Sequence, residues 1–364
     1  MPKQNEAIIV DGGNGGTNAI YLKENGRRKR VYFPSVRAEV TDKKIGFAEM
    51  ELDFDYVEWG GTKFVYGDEV VRINRHNADR HRGQNRYGNE LQSFLVAAAA
   101  LEAKVKSGTY DLVMFAPPGM YQDVKGTMID RFEGKTLTIE PKRGSAREYT
   151  FENVQILPEG IGAVICLGYN DDGTPFEGGA LMRGRVIVID IGTYTLDIMN
   201  FENGSLNMEP LPKSTWDDSG IASYIIEPLL AEIRDYNADL AASVTYDVID
   251  MAIRDGLNGG DWTVEGGGQA ANIEKAYHRR AEAYASWIAN NIIDTYLSGL
   301  DGINAAVMIG GGHHMTGEYF DQWNYDKLVN YRKTPPLKKV DPVDINAEGA
   351  ARNVLRKQLA AQRK

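Results

Sequence analysis

The sequence predicts an α/β protein made of two related halves, and three observations predict it. Apolar strand-like runs alternate with helix-like stretches along the chain. Two of those runs end in the same Asp-x-Gly turn and lead into another strand, at Asp11-Gly12-Gly13 and at Asp190-Ile191-Gly192. The length of 364 residues, at roughly 150 per domain, suits about two domains.

The elements follow in order. Ile8-Ile9-Val10-Asp11, Asn18–Leu22 and Arg30-Val31-Tyr32-Phe33, separated by a glycine-rich turn and by Glu24-Asn25-Gly26, predict a three-stranded meander. Residues 34–87 read as polar, aromatic and irregular, with short β-type runs such as Lys63-Phe64-Val65-Tyr66. The alanine- and leucine-rich stretch 89–106 predicts a helix ending near Gly108. Asp111–Ala116 predicts a buried strand stopped by Pro117-Pro118-Gly119, and 135–157 a hairpin followed by a further strand.

The second half reopens like the first: strand Val186–Ile189, Asp190, a turn to Thr195, strand Leu196–Met199, then Glu202-Asn203-Gly204. Setting Asp11 on Asp190 puts Gly13 on Gly192 and Asn14 on Thr193. Removing one residue from the first loop, read as the longer, then puts Thr17 on Thr195 and aligns the two Glu-Asn-Gly turns, as an internal duplication would. Helices are expected over about 219–235, 239–256 and 270–298, the first kinked or broken at Pro228. A polar connector, 258–268, precedes the last of these, whose Ile273, Tyr277, Tyr284, Ile288 and Ile292 read as core packing. Strand 305–309 runs into Gly310-Gly311-Gly312. A final helix over about 346–360 ends in a small basic tail, read as solvated.

Composition excludes several classes. With 51 Asp plus Glu against 41 Lys plus Arg, the net charge of −10 argues against a chain that grips bare nucleic acid along its length. One cysteine, Cys166, excludes a disulfide framework and a Cys-rich zinc site, and suits a reducing compartment. No run approaches the roughly 18–20 apolar residues of a transmembrane helix, and no signal-peptide core precedes the first strand, so a soluble, cytoplasmic protein without a membrane partner is expected.

The chemistry concentrates in the glycine clusters. In Asp11-Gly12-Gly13-Asn14-Gly15-Gly16-Thr17, consecutive N–H groups can form an anion nest that no Cβ blocks, with Asp11 facing phosphates through a hydrated metal. A strand rather than a helix follows, so this is no dinucleotide fingerprint, and no Gly-Lys-Ser/Thr closes it as a Walker loop. Alone, the loop reads equally well as a tight hairpin with an incidental aspartate. The second copy favours a pair of opposed phosphate loops, with Asp11 and Asp190 around a shared metal and Thr193 and Thr195 bonding phosphate or stitching the turn. Gly310-Gly311-Gly312 would let a flat nucleobase or sugar lie against backbone, or serve a strand-to-helix turn. Glu159 could orient or deprotonate an attacking water, or be a first-turn glutamate favoured by the helix dipole. His313 and His314 lack partners at metal-site spacing and read as an exposed loop pair.

Taken in order, Asp11-x-Gly13, Pro158-Glu159, Asp190-x-Gly192-Thr193, Gly310-Gly311-Gly312 and Asn346-Ala347-Glu348-Gly349 resemble the five nucleotide-site segments of the actin-like ATPases. Val113–Pro117, the stretch from Gly134 to Gly160 and the Asn346-Ala347-x-Gly349 helix start look most like the bacterial plasmid-segregation actins of the ParM type. The resemblance implies an actin-like fold, two related α/β domains around a nucleotide cleft: 1–165 plus 341–364, with 34–87 as small subdomain, and 166–340, with 216–285 as small subdomain. It implies ATP, or GTP in its place, with Mg²⁺; hydrolysis; and self-assembly into filaments. It implies Glu159 and Asp190 as catalytic residues and Asp11 and Asp190 on the metal. The nucleotide would lie on Gly12, Gly13, Asn14, Gly15, Gly16, Thr17, Asn18, Gly192, Thr193 and the triple glycine. It further implies a small DNA-binding adaptor that links the filament to plasmid DNA. One departure stands out: such actins usually place a phosphate-binding lysine where this chain has Asn18. The alternative is a small-molecule kinase of the same superfamily. A heat-shock-type chaperone would need a substrate domain after Gly349, where only 15 residues follow.

Overall fold

A computed structural model describes residues 6–40, 55–73, 78–80, 86–207, 211, 213–323 and 325–362. Backbone contacts divide the chain into two units, Met1–Glu159 with Lys357–Lys364, and Gly160–Arg356.

In the first unit, β1 (Ala7–Gly12), β2 (Gly16–Leu22) and β3 (Arg28–Pro34) form the expected meander. Where 34–87 read as irregular, the described residues form β4 (Val36–Glu39), β5 (Val57–Trp59), β6 (Thr62–Tyr66), α1 (Asp68–Ile73) and β7 (Ala78–Arg80). Val36, Ala38, Val65 and Val70 give this part its own small core. Next, α2 (Glu90–Glu102) starts at Asn89, whose Oδ1 accepts from Gln92 N–H at 2.8 Å. It ends at Glu102 rather than Lys106 because Lys104 turns left-handed at φ 55°. Then come β8 (Gly108–Ala116), α3 (Tyr121–Phe132), β9 (Thr136–Pro141) and β10 (Arg147–Pro158). The hairpin and the further strand expected over 135–157 share one strand, β10, which pairs with β9 and then, past a bulge near Asn153, continues beside β8. Parallel β8 is flanked by β1 and β10, and Ile8, Val10, Leu112, Met114 and Ile156 pack under α2.

The second unit opens with α4 (Ile161–Gly168), then β11 (Arg185–Ile191), β12 (Leu196–Glu202), β13 (Ser205–Leu206) and β14 (Thr215–Trp216). The break expected at Pro228 is a change of helix type: a π-type turn over 222–226 passes directly into α5 (Glu227–Tyr236), which has Pro228 in its first turn. Two helices, α6 (Ala238–Ser243) and α7 (Tyr246–Leu257), replace the single one expected over 239–256. The connector is not featureless either. β15 (Thr263–Gly266) and β16 (Gln269–Asn272) form a hairpin whose turn residues, Gly267 and Gly268, have φ of 57° and 76°. That hairpin takes up the start of the expected helix 270–298. The helix begins instead as α8 (Glu274–Trp287) and ends in π-type turns over 288–296, with Tyr277, Tyr284, Ile288 and Ile292 in the core as expected. β17 (Ala305–Ile309), α9 (Gly310–Thr316) and α10 (Ile345–Gln362) complete the chain.

The two units repeat one topology. β1 lies between antiparallel β2 and parallel β8, as β11 lies between antiparallel β12 and parallel β17. The registers correct the expected gap. Asp11 pairs with Asn18 and Asp190 with Asp197, so the two loops are equally long, and Gly16, not Thr17, corresponds to Thr195. The difference in length lies at the far turns, where Leu22 pairs with Arg28 but Glu202 pairs with Ser205. Among the described residues no helix is long and apolar enough to cross a membrane.

Candidate functional site

Both Asp-x-Gly loops close in the same way. Gly13 N–H donates to the Gly16 carbonyl at 2.9 Å, and Gly192 N–H donates to the Thr195 carbonyl at 2.9 Å. A Cβ at Gly13 or Gly192 would come within 3.3 or 3.2 Å of that same carbonyl oxygen, a tight contact in both turns. In the first loop, Thr17 Oγ1 and Ser35 Oγ share a buried hydrogen bond of 2.9 Å, and Ser35 N–H holds the Gly15 carbonyl at 3.2 Å. The N–H groups of Asn14 and Gly15 make no hydrogen bond to a described backbone carbonyl. Asn14 Oδ1 and Asn18 Oδ1 are buried without a hydrogen-bond partner among the described residues.

The second loop is held from behind. The carbonyls of Gly192, Thr193 and Tyr194 accept from the N–H groups of Ile221, Ala222 and Gly220, at 3.1, 2.8 and 3.1 Å. That approach requires Gly220, whose Cβ would stand 2.5 Å from the Thr193 carbonyl. The Thr193 N–H makes no hydrogen bond to a described backbone carbonyl. Thr195 stitches the turn: its hydroxyl donates to Asp197 at 2.7 Å, and Thr215 donates to the other oxygen of Asp197 at 2.6 Å.

The triple glycine is packed against this same loop. A Cβ on Gly310, at φ 87°, would lie 2.4 Å from Asp190 Oδ1, and one on Gly312 would lie 2.0 Å from Ile191 Cγ2. Gly311 alone of the three has open space where a Cβ would go. The two histidines expected in an exposed loop are on α9 instead. His314 pairs with Asp341 at 3.4 Å, and this contact raises its pKa. His313 sits beside Tyr331, with Nδ1 buried and lacking a hydrogen-bond partner among the described residues. Burial, then the neighbouring His314, push its pKa down to about 4 against the pull of Asp341.

Glu159 follows the last paired residue of β10, its N–H donating to the Ala116 carbonyl at 2.9 Å. Helix α4 begins only at Ile161, after Gly160 at φ 79°, so Glu159 precedes the helix cap rather than standing in the first turn. Arg86 and Tyr87 lie beside it. Arg86 Nη2 is 3.8 Å from Glu159 Oε1 and donates to the Tyr87 hydroxyl. Tyr87 is shifted well above the usual phenol range by burial first, then by Glu159, with Asp11 adding to the rise. Asp11, Tyr87, Arg86 and Glu159 therefore form one group in the first unit, as Asp190, Ile191 and Gly310 do in the second. The Asn346–Gly349 segment has a packing role. Asn346 Oδ1 accepts from Gly160 N–H at 3.0 Å, and Gly349 crosses Gly162 so closely that a Cβ would stand 2.1 Å from its oxygen.

Arg86, Tyr87 and Gly220 are the site residues that sequence reasoning missed. Gly220 carried a faint signal, a small residue opening an apolar run; the other two carried none. Among the described residues no three His, Cys, Asp or Glu side chains gather as a metal site. A hydrated magnesium ion asks for less, one or two carboxylates beside substrate phosphates, and each unit carries one carboxylate at a strand end, Asp11 in β1 and Asp190 in β11.

Residues 10–162 match the family described as actin-like proteins, N-terminal domain. An archaeal actin homologue solved in complex with ADP superposes on 99% of this chain and 100% of its own, with a TM-score of 0.69 at 21% identity. The fold is actin-like. An archaeal actin homologue from Thermoplasma volcanium is 25% identical over 322 residues, 86% of this chain and 90% of its own length. The ParM subunit of a 15-stranded filament from Clostridium botulinum is similar in its actin-like fold, with a TM-score of 0.68 at 17% identity over 98% of this chain and 100% of its own. ParM proteins and archaeal actin homologues thus both stand among its structural neighbours.

Proposed function

We propose that this chain is a cytoplasmic ATPase that polymerises into actin-like filaments and segregates plasmid DNA through a small DNA-binding adaptor. The observation that carries the reading is the pair of identically closed Asp-x-Gly hairpins, in which the N–H groups of Asn14, Gly15 and Thr193 make no hydrogen bond to a described backbone carbonyl. The ADP complex of one actin-like neighbour and the filament of another support it.

In this reading the backbone from Gly12 to Asn18, with Gly192 and Thr193, binds the phosphates, and the nucleoside lies on the open face at Gly311. Asp11 and Asp190 hold the hydrated magnesium, which when bound offsets charge developing on the transferred phosphoryl group. Glu159 accepts a proton from the attacking water or orients it, with the Arg86 guanidinium 3.8 Å away. The net charge of −10 suits DNA held through an adaptor rather than directly.

The test is light scattering on adding Mg²⁺-ATP, with phosphate release followed in the same sample. A rise in scattering that decays as phosphate appears is expected. Glu159→Ala should still bind ATP and scatter, with hydrolysis down by about 10²-fold or more. Phosphate release without scattering over a wide protein range would favour the kinase-like alternative.

A further inference from the structure

The proposed site brings a polyanion to a place that already holds two carboxylates. From Asp11 to Asn18 the first loop contains no cationic side chain. Backbone N–H groups carry only partial charge, and Asp11 and Glu159 both bear on the Tyr87 hydroxyl. The cation in this group is Arg86, 7% exposed, with Nη2 at 3.8 Å from Glu159 and donating to Tyr87. The Nη2–Oε1 pair at that distance is an ion pair. A guanidinium has five donors arranged as a fork, and phosphate oxygens match that fork in a bidentate way.

We propose that Arg86 is the cation that grips the terminal phosphate of the bound nucleoside triphosphate. Arg86 thus takes the place of a lysine in the loop itself, and Glu159 beside it is brought to the water that attacks the same phosphate. The inference rests on the proposed nucleotide-binding reading, and it predicts that the energetic role of Arg86 depends on the third phosphate.

The experiment is equilibrium binding of ATP and of ADP to the full chain with Mg²⁺, for wild type, Arg86→Gln and Arg86→Lys, with circular dichroism as the check of folding. Arg86→Gln should weaken ATP binding by about tenfold or more while ADP changes by less than about threefold; Arg86→Lys should fall between, because an ammonium keeps the charge but not the fork. Unchanged ATP affinity in Arg86→Gln, or an equal loss for ATP and ADP, overturns the proposal. Should Arg86→Gln not fold, Arg86→Lys decides: a reduced ATP-to-ADP preference supports the role, and an unchanged one overturns it. Failure of the wild type to bind either nucleotide would remove the nucleotide-binding reading itself, and this inference with it.

Discussion

Asn14 Oδ1, Asn18 Oδ1 and His313 Nδ1 are buried atoms without hydrogen-bond partners among the described residues, and each such atom costs about 1–3 kcal/mol. The two asparagines belong to the first loop, where a bound ligand or its water can satisfy them. His313 gives a prediction on pH. Its folded pKa near 4 lies below the unfolded value of about 6.5, so as pH falls through that window the unfolded chain takes up a proton that the folded chain refuses. Stability at this residue therefore falls with acid. His314 works in the opposite sense, because Asp341 raises its pKa: its contribution is complete below about 6.5 and fades as pH rises through the folded value. Replacing His313 by Phe, beside Phe320 and Tyr331, should reduce the stability lost between pH 7 and pH 5 by on the order of 1 kcal/mol, read by urea unfolding. An unchanged loss would show that folded His313 protonates freely. At this scale Asp11, Glu159 and Asp190 were legible as carboxylates at strand ends. Arg86 was not, since nothing local marks a surface-type residue that folding buries.

Glycine decides much at the scale of elements, and for different reasons at different places. Gly267 and Gly268 supply the left-handed turn of a hairpin, a pattern written in sequence yet read here as connector. Gly162 and Gly349 instead allow α4 and α10 to cross backbone to backbone. Gly349→Ala should force the two helices apart and cost about 1–3 kcal/mol or more, visible as a lower Tm. Gly311→Ala meets open space and should change stability by less than about 0.5 kcal/mol. If the nucleoside lies there, the same substitution weakens nucleotide binding, and unaltered affinity would remove that placement. The strands β1, β2, β8, β11, β12 and β17 were legible because their apolar runs end in turn chemistry. The split of 239–256 was not, because α6 and α7 part at Val244-Thr245 without proline or glycine.

The whole molecule repeats a meander beside a parallel strand in each unit, and the repeat carries the same closed loop twice. Where the parallel strand of the second unit leads into Gly310-Gly311-Gly312, that of the first leads into Pro117-Pro118, so the units differ at the strand end beside each loop. Magnesium removal tests the molecule at this scale. In the proposed reading the ion is held together with the nucleotide, by one or two carboxylates and the phosphates. Excess EDTA should therefore abolish both phosphate release and the ATP-dependent rise in scattering, and excess Mg²⁺ should restore them. Hydrolysis that persists in EDTA would argue against Asp11 and Asp190 as metal-facing residues.

Sequence by itself determined the local features: which runs are strands, where the Asp-x-Gly turns fall, that the halves are related, and that three carboxylates stand at strand ends. Those follow from side-chain alternation and turn preferences, which act over a few residues. Tertiary structure decided the register that makes the two loops equal in length. It also decided which glycines serve packing and which one is left open, and it set Arg86 beside Glu159. The physical reason is that register, close approach and charge pairing depend on what lies across space from a residue, and chain neighbours do not specify that.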